Sequence, residues 1–69
     1  MTIQDYRRRL GWTQSELARR ARLTSNTVRK AENGELVSGS TAVAIAEAFS
    51  KALDQSILVH QIDGLVVDV

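Results

Sequence analysis

Apolar positions along this chain fall into four short helical stripes followed by a denser apolar tail. Ile3, Tyr6 and Leu10 recur three and four residues apart, which predicts a first helix over residues 2–10. Thr2, with Asp5 three positions on, opens it, and Gly11 stops it. Thr13 and Glu16 have the spacing of a capping box, flanked by Trp12 and Leu17 as a hydrophobic staple, so a second helix starts there. Its Leu17, Ala18 and Ala21 share one face, and Ser15, Arg19 and Arg20 the other. A third helix starts at Thr24, with Leu23 and Val28 as the staple pair, and ends at Asn33-Gly34. Residues 35–40 read as a loop. Ser40 or a neighbour then caps a fourth helix, which runs through Thr41 to about Leu53 on a stripe of Ala42, Ile45, Ala46 and Phe49.

The tail is less periodic. Ile57-Leu58-Val59, Ile62 and Leu65-Val66-Val67-Val69 surround an Asp63-Gly64 turn signal. A β-strand or hairpin fits, as does a short fifth helix near residues 54–59. This much apolar surface must be covered. It either packs against a second copy of the chain or folds back over Trp12 and the fourth helix. The expected organisation is a domain over residues 1–56 and a C-terminal tail over 57–69 that serves as a dimerisation element.

The third helix carries the most specific chemistry. At roughly 100° per residue, Ser25, Arg29, Asn33, Asn26 and Lys30 fall within one arc of about 140°. Val28, Ala31 and Thr24 lie opposite, toward the core. Asn pairs bidentately with adenine, and Arg or Lys with guanine O6 and N7, so this arc suits base edges in a DNA major groove. A solvated helix face has a similar composition. Gln14, in the first turn of the second helix, is placed to meet a phosphate together with nearby backbone N–H groups.

Charge strengthens the nucleic-acid reading. The formal net charge is only +1. Residues 1–30, however, hold eight Lys/Arg and two acids, whereas residues 31–69 hold one Lys and six acids. A basic half and an acidic half favour an oriented encounter with a polyanion. Of the arginines Arg8, Arg9, Arg19, Arg20 and Arg22, one or two are expected to touch DNA.

The segments Gly11-Trp12-Thr13-Gln14-Ser15-Glu16-Leu17-Ala18, Thr24–Val28 and Glu32-Asn33-Gly34 resemble the helix-turn-helix of the phage repressor/Cro (XRE-type) family. Ile45-Ala46-Glu47-Ala48-Phe49 is similar to that family's fourth helix, so the likeness spans about residues 2–53. It implies an all-α fold, a lambda-repressor-like domain of four to five helices. It also implies that Ser25, Asn26, Arg29 and Lys30 face bases, that Gln14, Thr27 and Asn33 contact phosphates, and that Arg7 and Glu32 form a buried ion pair. Two features depart from the family. Arg22 stands in the turn where Gly is usual, which points to a slightly rearranged turn. Ala21 and Ala31 stand where larger apolar residues are common, leaving volume for Trp12, Phe49 or the tail to fill.

Other functions are disfavoured. There is no cysteine, and the single His60 has no evident partner, so neither a catalytic site nor a metal site is expected. No cofactor, small-molecule ligand or membrane partner is indicated, and no run approaches the ~20 apolar residues of a membrane span. The expected function is a sequence-specific regulator, a repressor, that binds double-stranded DNA as a homodimer in the cytoplasm. The alternative is a protein-interaction or antitoxin-type module on the same fold.

Overall fold

Four hydroxyl groups start the four helices. In the computed structural model, which describes residues 1–68, these are α1 (Ile3–Leu10), α2 (Gln14–Ala21), α3 (Ser25–Glu32) and α4 (Gly39–Leu53). The side-chain oxygens of Thr2, Thr13, Thr24 and Ser38 each accept the backbone N–H three residues on, at 3.1–3.2 Å. Each bond satisfies an amide that the first helical turn leaves without an internal partner.

Among these four caps the box closes only at Thr2, whose backbone N–H donates to Asp5 Oδ2 at 2.9 Å. That bond, with the one from the Thr2 side chain, holds the Asp5 carboxyl below its ordinary pKa. At Thr13 the expected box stays half open. Glu16 turns away to accept from Arg19 Nε at 2.9 Å and Arg20 Nη2 at 3.4 Å. One helical turn brings these cations beside the carboxylate, and they outcompete a single neutral amide. The fourth helix also begins earlier than its sequence pattern implies, because Ser38 rather than Ser40 is the cap.

Helix ends use the left-handed backbone region. Gly11 closes α1 at φ 70°. Arg22 closes α2 at φ 58°, ψ 42°, so the helix-turn-helix turn keeps its geometry without glycine.

The helices bury a single core in which Phe49, Ile3, Leu17, Ile45 and Val28 are almost fully enclosed. Phe49 is its centre, stacked on Tyr6 at 4.9 Å and on Trp12 at 6.0 Å. The outer Trp12 face carries the Arg20 guanidinium at 5.1 Å. The space beside Ala21 is not filled. It remains a surface cleft between α2 and α4, rimmed by Arg20, Arg22, Glu47 and Lys51.

The tail closes over the core instead of pairing with itself. Ser50 Oγ, bonded at 2.8 Å to the Ala46 carbonyl, receives the Ile57 N–H at 3.0 Å, and Ile57 and Ile62 are buried. A 3-10 turn spans Val59–Gln61. Thr2 and Asp63 then form a parallel bridge. Past Gly64, at φ 78°, the strand β2 (Val66–Val67) pairs in parallel with β1 (Leu36–Val37), in the register Leu36–Val66 and Val37–Val67. The strand expected in the tail is present, but among the described residues it forms no hairpin, since its partner lies in the segment read as a loop. Val69 lies outside the described residues.

Two stability outcomes follow from this packing. Ile62→Ala removes a buried side chain and is expected to cost roughly 2–5 kcal/mol in denaturant unfolding. A loss well under 1 kcal/mol would show that the tail is not part of the core. Arg22→Gly relieves a left-handed non-glycine residue. Its expected net gain is about 0.5–1 kcal/mol after the greater chain entropy of glycine, read as a melting temperature a few degrees higher.

Candidate nucleic-acid interface

The candidate surface is α3 together with the first turn of α2. Val28 and Ala31 are buried against the rest of the domain, which fixes the orientation of α3. The opposite side exposes Ser25, Asn26, Arg29, Lys30 and Asn33, while Thr27 lies half-buried at the flank of the helix. Each of these lies where the helical period puts it.

The two helix starts meet. Ser15 Oγ and Ser25 Oγ stand 3.4 Å apart, and Gln14, Ser25, Asn26 and Arg29 line one shallow open groove. Within it, Arg29 Nη2 donates to Asn26 Oδ1. Lys30, Thr27 and Asn33 lie outside the groove lining. The Thr27 hydroxyl is engaged with the Thr24 hydroxyl at 2.9 Å. Ser15 was not among the sequence candidates. Its only signal was an exposed place one residue into α2.

Beneath this surface lies the ion pair that the family resemblance implied. Arg7 Nε donates to Glu32 Oε2 at 2.8 Å and Arg7 Nη2 to Glu32 Oε1 at 2.9 Å, a two-pronged contact between α1 and the end of α3. The Glu32 side chain is only 3% exposed and that of Arg7 18%. Arg7 Nη1 also donates to the Trp12 carbonyl at 3.1 Å. Gln14 Nε2 donates to Glu32 Oε1 at 3.2 Å, and Gln4 Nε2 to the Glu32 carbonyl at 3.3 Å. Among the described residues, no buried side-chain N or O atom is left without a partner.

Gln14 therefore faces inward as well as outward. A carboxylate only accepts, so the amide nitrogen must point at Glu32. One N–H and the carbonyl oxygen remain for the groove side.

The cationic rim is partly neutralised. Glu16 balances Arg19 and Arg20, and the Arg19 hydrogen bond holds the Glu16 carboxyl below its usual pKa. No ion pair among the described residues involves Arg8, Arg9, Arg22 or Lys30. No group of His, Cys, Asp and Glu among them is arranged for a metal ion, and no helix is long and apolar enough to cross a membrane.

Two helices joined by a tight left-handed turn, with the second presenting an exposed polar arc, define a helix-turn-helix protein. The family model described as Helix-turn-helix matches residues 3–55, and the chain belongs to this XRE-type family of DNA-binding transcription regulators. No curated protein and no solved structure gives a significant match. Regulators of this family are typically not enzymes.

The ion pair sets a clear expectation. Arg7→Ala or Glu32→Ala leaves one charge buried alone and is expected to cost roughly 3–5 kcal/mol. That is a large share of a small domain's stability. A paired Arg7→Met, Glu32→Leu replacement is expected to recover much of the loss in thermal unfolding, because no orphaned charge remains.

Proposed function

We propose that this protein is a sequence-specific transcriptional repressor acting in the cytoplasm on the nucleoid. It binds an inverted-repeat operator as a homodimer, with α3 of each copy in a major groove. The observation that carries this reading is the set of exposed side chains Ser25, Asn26, Arg29 and Lys30 on a helix anchored by a buried ion pair. Base recognition needs such rigid presentation, because a misplaced donor forfeits the discrimination of 1–3 kcal/mol that a good contact provides.

In this reading Ser25, Asn26, Arg29 and Lys30 face base edges. Gln14, through its remaining N–H, contacts phosphate together with Thr27, Asn33 and the amides at the start of α2.

Leu36 and Val66 are the favoured dimer surface. They are cross-strand neighbours, 61% and 44% exposed, whereas Ile57 and Ile62 of the tail are already used inside one copy. Repression then follows from occupancy of the operator.

Selection of binding sites from random duplexes tests the proposal. The expected product is an inverted repeat whose half-site centres lie about 34 Å apart, one turn of DNA. Affinity is expected to fall about tenfold or more between roughly 50 and 200 mM salt, which two Lys or Arg phosphate contacts alone produce. Salt-insensitive binding without any enriched repeat would overturn the proposal.

A further inference from the structure

One flank of the domain combines an unfilled space with uncompensated charge. The cleft between the end of α2 and the outer side of α4 has a volume of about 400 Å³ and is walled by Ala21, Ala44 and Ala48. In a chain of 69 residues, a larger apolar residue at any of these places would add burial to a modest core, so the open space forgoes stability. Arg20, Arg22 and Lys51 line the same cleft against one acid, Glu47. Among the described residues, Arg22, Lys51 and Glu47 enter no ion pair, and that of Arg20 is a 3.4 Å contact with Glu16. Like charges held around one small space repel each other unless an anion sits between them. A smaller cleft of about 150 Å³ continues the first past Arg20 and Lys51 to Trp12. None of these residues lines the groove at the starts of α2 and α3. Arg20 lies about 9 Å farther along α2 than Gln14.

We propose that this cleft binds a small phosphomonoester, held through its phosphate by Arg20, Arg22 and Lys51 and through a hydroxyl of its organic part by Glu47. A phosphate monoester carries close to two charges and three strong acceptor oxygens, so it answers three cations that a single carboxylate would leave partly unneutralised. Guanidinium groups meet its oxygens two at a time, and Lys adds a point charge. The cleft is larger than a phosphate group alone, which leaves room for a body of a few carbons against the alanine walls. The Glu47 carboxylate only accepts, so it favours a body that carries hydroxyl donors and disfavours a second anionic group. The cleft lies open on the surface, and a dissociation constant on the order of 1 mM is expected of such a site.

The test titrates the full chain, at fixed ionic strength, with glycerol 3-phosphate, inorganic phosphate, sulfate and glycerol. Amide NMR shifts map the site. Trp12, the sole tryptophan, reports by fluorescence because the Arg20 guanidinium lies over its ring. Glycerol 3-phosphate is expected to saturate, with shifts confined to the end of α2 and residues 44–52. It should bind about threefold or more tighter than inorganic phosphate or sulfate, the weak end of one added hydrogen bond, and glycerol should not bind. Arg22→Gly, which suits the left-handed turn, and Lys51→Gln are each expected to weaken the ester about tenfold. Ala44→Leu keeps every charge but fills the space, and is expected to abolish binding. Glu47→Ala should tighten inorganic phosphate and remove the advantage of the ester. These four positions are exposed or half-buried, and melting curves confirm that the variants fold. Equal affinity for sulfate and the ester would mean an adventitious ion only and would overturn the proposal. So would binding that Ala44→Leu leaves unchanged, or the lack of any saturable shift at the cleft. If no ester binds and the Arg22 and Lys51 variants instead lose affinity for duplex DNA, these cations serve the nucleic-acid backbone. The proposal then falls while the DNA reading stands.

Discussion

The Arg7–Glu32 ion pair is the interaction on which the rest of this structure depends. Glu32 is the last residue of α3, and its carboxylate accepts from Arg7 on α1 and Gln14 on α2. Arg7 reaches on to the Trp12 carbonyl between α1 and α2. One buried carboxylate thus fixes three helices relative to each other. Apolar packing is non-directional and tolerates sliding, whereas a two-pronged Arg–carboxylate contact has a single geometry. Such a pair is a weak source of net stability because both charges are desolvated. What it supplies here is alignment of α3 with the start of α2, the relation a DNA surface requires.

The remaining stability has to come from many small contributions. Three of the four helices have eight residues, well below the length at which isolated helices persist in water. A hydroxyl cap on every helix and one shared core compensate. The core is modest, built around Phe49 with alanines at Ala21 and Ala31, and one flank beside Ala21 stays open. The C-terminal segment is therefore not an appendage to a finished domain. Ile57 and Ile62 complete the cover of a core that four helices leave unfinished.

What was legible in the sequence was what is local. Thr13, Thr24 and Gly11 set helix ends through bonds spanning a few residues, and the helical period placed Ser25, Asn26, Arg29, Lys30 and Asn33 on one exposed face. Contacts decided by competition or by distance were not legible. Glu16 had the spacing of a capping residue, but Arg19 and Arg20 offered charged donors at the same reach. Ser38 and Ser40 are equivalent as letters, and the chain path into β1 decides between them. Two-residue strands carry no period, so the pairing of Leu36 with Val66 left no trace in either segment. The Arg7–Glu32 pair, 25 residues apart, was reachable only through family resemblance.

The same division bears on how recognition and folding relate. The residues that hold the fold, Arg7, Glu32, Leu17, Val28 and Phe49, are buried or nearly so, and none of them belongs to the exposed arc. Ser25, Asn26, Arg29 and Lys30 contribute almost nothing to the core, so their substitution changes the surface without changing its support. Gln14 is the exception, since one amide is shared between the buried carboxylate and the groove. A change at Gln14 alters both the hydrogen bonding of Glu32 and the edge of the exposed groove. If α3 reads DNA as proposed, specificity can thus drift freely along it, while the start of α2 is constrained from both sides.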